Sequence, residues 1–233
     1  MSNVVKKNII VVSGIDTGIG KTVATGLMAR WIKESGSSVI TMKMVQTGCS
    51  RISEDILEHR KLSGMVLQEE DAMGLTCPYI FEVPCSPHLA ARLDGSFIDP
   101  AVITASARQL SEIYDYVLVE GVGGLFVPLT DEVNVIDLVA ANSWPTILVT
   151  GPRLGSINHT LAALDGMKNR GIRLQGLVYN LEGSNETDAR IVADSRQVFS
   201  RHIKKMAAGS RICDIPSVAC TKSYCVDFSS LFK

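Results

Sequence analysis

Apolar and polar positions follow two rhythms along this chain. Short β-branched runs read as buried strands: "NIIVV" at 8–12, "SVITMKMV" at 38–45, "YVLVEG" at 116–121, "PTILVTG" at 145–151 and "QGLVYN" at 175–180. Between them the apolar spacing becomes helical. In 21–35, Ala24, Leu27, Met28 and Trp31 recur at i, i+3, i+4 and i+7, and Gly36 offers a natural stop. Further helices are predicted over 53–64 with Ser53 as cap, over 134–141, over 156–171 with Ser156 as cap, and over 187–199. Strands that are apolar throughout, separated by helices, predict a mainly parallel sheet covered by helices on both faces. No repeat or low-complexity linker interrupts the 233 residues, so one α/β domain over 1–233 is expected. Beyond about residue 200 no clear period remains.

The first strand leads into the chemistry. Gly20-Lys21-Thr22 follows it and opens a helix, which is the context a phosphate-binding P-loop requires, although the position five residues before Gly20 is Ile15 rather than glycine. Backbone N–H groups of such a loop face phosphates. Lys21 brings a point charge to the β/γ-phosphates, and the Thr22 hydroxyl suits Mg²⁺. The fold expected is therefore a three-layer P-loop NTPase-type domain. In one branch of P-loop ATPases a second lysine sits five residues before the invariant one and reaches across a dimer; here that position is Asp16, which disfavours a partitioning-type switch.

Three further polar residues interrupt apolar surroundings. Glu120 ends a strand at a glycine-rich turn (Gly121, Gly123, Gly124), where open α/β sheets bind ligands. It is either a metal-binding carboxylate or a surface glutamate. Asp55 stands beside Glu54 at a capped helix start that welcomes either acid. Lys43, near the end of the second strand, is either an edge lysine extending into solvent or the partner of an anionic group beside the γ-phosphate. His88 and His159, each just inside a helix start, read as hydrogen-bonded structural histidines.

Composition narrows the partners. A net charge of −1 leaves no basic field for nucleic acid and no polybasic tail for a membrane. No apolar run approaches a membrane span, and the run at 9–12 leads into Ser13-Gly14 rather than a cleavage site, so a cytoplasmic protein is expected. Six cysteines without a C-x-x-C pair argue for reduced thiols rather than a zinc site or disulfide framework. The residues alone leave two classes open: a synthetase that activates a substrate with ATP, or a nucleotide-dependent switch that binds a macromolecule.

The segments "GIDTGIGKT", "KMVQTG", "CPYIFEVPCSPHLAA", "VLVEGVGGLFVPL", "GPRLGSINHTL", "GLVYN" and the late Ile215-Pro216 resemble the dethiobiotin synthetase family in order and spacing, over most of the chain. The resemblance implies an ATP- and Mg²⁺-dependent enzyme that closes a cyclic urea on 7,8-diaminopelargonate with CO₂, through a carbamate and a carbamic–phosphoric anhydride, in biotin synthesis. It implies that Thr17 lies near the reacting groups, and that Gly18, Ile19, Gly20, Lys21 and Thr22 hold the nucleotide. Thr22, Asp55 and Glu120 are the implied metal ligands. Lys43 and Thr47 are implied to hold the carbamate, with Gly123 also on the substrate side. Ser156, Ile157 and Asn158 are implied to offer backbone N–H groups to the substrate's distal carboxylate across a homodimer interface. Asn180 and the segment around Pro216 are implied to contact the adenine.

Overall fold

The computed structural model describes residues 8–181, 187–206, 209, 211–217 and 226–232. In chain order the elements are β1 (Asn8–Gly14), α1 (Lys21–Glu34), β2 (Val39–Lys43), β3 (Gln46–Thr47), α2 (Glu54–Ser63), α3 (Glu69–Ala72), β4 (Ile80–Phe81) and α4 (Pro87–Leu93). They continue with α5 (Pro100–Ile113), β5 (Tyr116–Gly124), α6 (Val135–Ala141), β6 (Thr146–Thr150), α7 (Ser156–Asn169), β7 (Leu174–Asn180), α8 (Ala189–Met206) and β8 (Arg211–Ile215). Six strands form one sheet in the order β2-β5-β1-β6-β7-β8, every described pairing parallel. β3 and β4 make a separate two-stranded piece.

Alternation along each strand divides the core into two layers. Ile10, Val12, Leu118, Ile147, Val149 and Val178 point to the face covered by Ala24, Leu27, Met28 and Ile32 of α1. Val11, Val117, Val119, Leu148, Leu177 and Tyr179 point to the opposite face, covered by α5, α6, α7 and α8. Two buried faces explain why these strands read as unbroken apolar runs. Phe228 and Leu231, near the end of the chain, complete the α1 face. Phe232 stacks on Trp31 at 5.6 Å and meets Tyr116 edge-on at 5.9 Å.

Several boundaries differ from the sequence reading. β5 does not stop at 121 but runs through Gly124, where it pairs again with Gly14 after a register shift that leaves extra residues on β5. The cap of α7 is Gly155, left-handed at φ 89°, rather than Ser156. Ser156 is the first helical residue, and its Oγ is buried without a hydrogen-bond partner among the described residues. Ser53 does cap α2, its Oγ accepting from the Ile56 N–H at 3.2 Å. Cys49, Cys77, Cys85 and Cys213 are free thiols, while Cys220 and Cys225 lie outside the described residues.

Candidate active site

Strand parity assembles the site. Lys43 and Glu120 are partners in the β2–β5 register. Glu120 shares the parity of Leu118, and Lys43 that of Val39, so both side chains point to the α1 face. There they meet the first turn of α1, which supplies Lys21 and Thr22, and the first two turns of α2, which supply Asp55 and His59. The Lys43 Nζ lies 2.6 Å from Asp55 Oδ2 and 2.8 Å from Glu120 Oε1, and donates to the Gly121 carbonyl at 3.2 Å. The Thr22 hydroxyl lies 3.0 Å from Asp55 Oδ1 and 3.2 Å from Glu120 Oε1. His59 Nε2 is 2.7 Å from Glu120 Oε2.

Glu120 is wholly buried and Lys43 is 5% exposed, so neither is the surface residue that the sequence left open. β2 is an edge strand of the sheet, but the Lys43 N–H donates to the Thr76 carbonyl at 2.7 Å, so the chain around Thr76 covers that edge. Asp55, not Glu54, reaches the cluster. Glu54 instead lines a separate open groove with Cys49, Arg51 and Leu57. The start of α2 is fixed from both sides, because Ser53 Oγ also donates to Gln46 Oε1 of β3 at 2.7 Å.

The phosphate loop wraps this cluster. Lys21 Nζ donates to the Asp16 carbonyl at 2.8 Å, a backbone contact that holds the ammonium under the loop. Gly20 caps α1 at φ 92°, and a Cβ there would lie 2.1 Å from Asn180 Nδ2. Glycine is therefore required twice, by the left-handed backbone and by the neighbouring side chain. Asn180 closes the gap by donating to the Ile19 carbonyl at 3.1 Å. Asp16 accepts from the Thr17 N–H and pairs with Arg153 from the turn before α7.

The electrostatics are those of a charged nest under a low-dielectric roof. Burial pushes the Lys21 ammonium down to about 8, and the nearby charge of Lys43 adds to the shift. Burial would also lower Lys43, but the charges of Glu120 and Asp55 outweigh it and hold that ammonium up at about 12. For Glu120 burial alone would raise the carboxyl. The Lys43 charge and the His59 hydrogen bond prevail and hold it well below the usual carboxylate range.

Thr17, Gly18, Gly20, Lys21 and Thr22 line one cleft of about 750 Å³ together with Lys43, Asp55 and Glu120. Thr47, Gly123 and the run from Pro84 to Pro87 also line it, Gly123 lying against Thr17 of the loop. Ile19 is buried beneath the loop. Asn180 and Pro216 lie at the C-terminal ends of β7 and β8, Asn180 pairing in register with Ile215. Ser156, Ile157 and Asn158 stand apart from the cleft, and the Ser156 N–H already donates to the Arg153 carbonyl at 3.1 Å. Neither His88 nor His159 lines the cleft, and the His88 Nδ1 is buried without a partner among the described residues, so it is not the hydrogen-bonded histidine expected. The residue that sequence reading passed over is His59. Its position four residues after Asp55, on the same helix face, was the available signal.

A parallel sheet with a phosphate loop after its central strand, and lysines and carboxylates gathered at the strand ends, defines a P-loop nucleotide-binding protein of the phosphoryl-transfer kind. A family model described as an AAA domain matches residues 8–221. Sequence relatives narrow the class. The ATP-dependent dethiobiotin synthetase BioD of Chlorobaculum tepidum is 50% identical over 206 residues, 88% of this chain and 85% of that protein. The ATP-dependent dethiobiotin synthetase BioD 2 of Haemophilus influenzae is 51% identical, covering 79% of this chain and 95% of the relative. The chain belongs to the ATP-dependent dethiobiotin synthetase family. A solved ParA family ATPase from Chlorobium tepidum TLS shares the fold alone, with a TM-score of 0.51 at 17% identity over 97% of this chain and 89% of that one.

Proposed function

We propose that this protein forms dethiobiotin from 7,8-diaminopelargonate, CO₂ and ATP. The observation that carries the reading is the meeting of Lys21, Lys43, Asp55 and Glu120 in one cleft at the mouth of the phosphate loop. A carbamate and a triphosphate repel each other, and a site that joins them needs fixed positive charge between them. One substrate amine takes up CO₂ as a carbamate and gives its proton to solvent. A carbamate oxygen attacks the γ-phosphorus, and the bond to the ADP oxygen breaks. The second amine then attacks the carbonyl carbon, the bond from that carbon to the phosphate oxygen breaks, the departing phosphate takes the amine's proton, and the ring closes.

Each residue has a physical task in this reading. The loop amides and Lys21 hold the triphosphate, with Thr17 and Gly18 over the reacting groups. Lys43 stays charged at any working pH and faces the carbamate together with Thr47. Asn180 and Pro216, at the adjoining strand ends, receive the base. The donor set fits Mg²⁺: the Thr22 hydroxyl, Asp55 and Glu120 are hard oxygen groups, and the hydroxyl lies 3.0 Å from Asp55 Oδ1 and 3.2 Å from Glu120 Oε1. Held there by Thr22, Asp55 and Glu120, Mg²⁺ would supply charge neutralisation for the triphosphate. The first turn of α7 takes the distal carboxylate of the substrate through the backbone N–H groups of Ser156, Ile157 and Asn158 at the helix start. This pairing calls for a homodimer, and Leu154 and Phe126, 96% and 50% exposed at the start of α7 and against its flank, offer apolar surface for one. No helix among the described residues is long and apolar enough to cross a membrane.

The test is incubation with 7,8-diaminopelargonate, labelled bicarbonate and MgATP. Label in dethiobiotin, with phosphate release that needs both the diamine and bicarbonate, is the expected result. ATP hydrolysis indifferent to both would overturn the reading.

A further inference from the structure

His59 has no role in the chemistry above, yet the fold drives its ring against Glu120, beneath the cleft. It is wholly buried, and its Nε2 stands 2.7 Å from Glu120 Oε2. The opposite oxygen, Oε1, is the one shared by Lys43 at 2.8 Å and Thr22 at 3.2 Å. The two oxygens of one carboxylate are thus divided: Oε2 faces the ring, and Oε1 faces the cleft.

The division has a mechanical meaning. The terminal torsion of glutamate is broad and roughly two-fold, so nothing intrinsic distinguishes Oε1 from Oε2 or fixes the carboxylate plane. An ionised carboxylate can only accept, so Nε2 must carry the hydrogen. The Nδ1 is buried and without a partner among the described residues. A histidine serving packing alone is poorly placed under those terms: it satisfies one nitrogen and desolvates the other, and an aliphatic side chain avoids that cost. The polar contact to Glu120 is what the ring contributes.

We propose that His59 is a positioning residue for this active site, its Nε2–H holding Glu120 by Oε2 so that Oε1 is presented, in a fixed plane, to Thr22 and the metal-binding position. The proposal rests on the reading of Glu120 as a ligand for Mg²⁺. Helix α2 then serves the site twice from one face, supplying Asp55 directly and the brace for Glu120 one turn later. Partners that orient a ligating group commonly change metal affinity by about 10- to 100-fold when removed.

The experiment titrates Mg²⁺ against binding of a fluorescent ATP analogue, in parent, His59→Leu, His59→Gln and Glu120→Gln proteins, with a parallel titration in EDTA. The leucine variant is expected to raise the Mg²⁺ concentration for half-maximal binding by about 10- to 100-fold, while binding in EDTA stays within about twofold. Glutamine, whose amide can reach the place of Nε2–H, is expected to restore most of the Mg²⁺ response. If His59→Leu keeps the parental Mg²⁺ response while Glu120→Gln loses it, the positioning role is overturned alone. If both keep it, the metal reading of Glu120 falls and takes the proposal with it. Equal losses with leucine and glutamine, in EDTA as well as in Mg²⁺, would make His59 a structural residue and also overturn the proposal. Should the leucine variant not fold, His59→Asn keeps a polar group but withdraws the donor from Oε2, and is held to the same outcomes.

Discussion

Lys21 and Lys43 carry the same group and meet opposite surroundings. Lys21 is pushed down to about 8 by burial and by its fellow lysine, so the folded protein holds there a charge it barely tolerates. An unfolded lysine titrates near 10.5, so between about 8 and 10.5 the unfolded chain binds more protons, and this group's contribution to stability rises with pH across that window. Below about 8 its cost is present in full. A triphosphate reverses the balance by favouring the charged form. Nucleotide binding above about pH 8 is therefore expected to take up protons, measurable by calorimetry in two buffers of different ionisation enthalpy, and Lys21→Ala should abolish the uptake and lower kcat by at least ~10²-fold. Lys43→Met removes charge but keeps much of the stem. Dethiobiotin formation should collapse while ATP affinity stays close to the parent's. Product made at the parental rate would retire the carbamate role, and a large loss of ATP affinity would move Lys43 into the nucleotide site. Asp55→Asn should depress Mg²⁺-dependent turnover, whereas Glu54→Gln, facing the neighbouring groove, should be nearly silent in the same assay.

Helix α2 is the element on which the site's geometry depends. Arg60, the residue after His59, is buried and forks onto Asp71, Nε to Oδ2 at 2.9 Å and Nη2 to Oδ1 at 2.7 Å, while Nη1 donates to Thr41 Oγ1 at 2.8 Å. Asp71 also accepts from the Gln68 N–H and the Thr76 hydroxyl. One buried pair thus ties α2, α3 and β2 together. Burial would raise the Asp71 carboxyl, but the Arg60 fork and these two donors hold it below its ordinary 3.8. A lowered carboxylate contributes stability that is present above about 3.8 and lost as pH falls through the folded value. Asp71→Asn strands the guanidinium and should cost about 3–5 kcal/mol in urea unfolding. It should also flatten the acid limb of the stability curve. The sequence made α2 legible through its serine cap, but not its cargo: "EHR" reads as solvated surface until the tertiary fold turns it inward. Helix α5 was missed for a related reason. Its buried stripe is Ile103, Ser106, Ala107, Leu110 and Ser111, too small and polar to stand out as a period. β8 was missed because it is an edge strand, "RICDI", with only Cys213 and Ile215 buried.

At the scale of the whole molecule, the layers were legible because parallel strands buried on both faces leave an apolar signature that short motifs cannot imitate. The closing of the α1 face by residues 226–232 was not, because that segment carries no regular period and gains its meaning only by contact. Phe228 is wholly buried and Leu231 nearly so. Their neighbours are at the end of α1 remote from the phosphate loop, Trp31 lying ten residues and about 15 Å along the helix from Lys21. Phe228→Ala should therefore cost about 3–5 kcal/mol of stability, while the folded fraction keeps the parental KM for ATP. Unfolding curves and steady-state kinetics on the same preparation separate the two effects.

The pairing of Lys43 with Glu120 across β2 and β5 has a consequence for how the chain finds its own alignment. Side chains alternate between faces, so an edge strand slipped by one residue would turn Lys43 toward the α5–α8 layer and leave Glu120 without its opposite charge on β2. Two unmatched charges in apolar layers are far costlier than any gain from a shifted ladder. Most other residues of β2 are interchangeable hydrophobes, Val39, Ile40 and Met42, that would tolerate the slip. Lys43, with the Thr41 contact to Arg60 beside it, thus acts as a key cut into an otherwise apolar strand: a molecule that aligns β2 wrongly forfeits stability and the assembled site together.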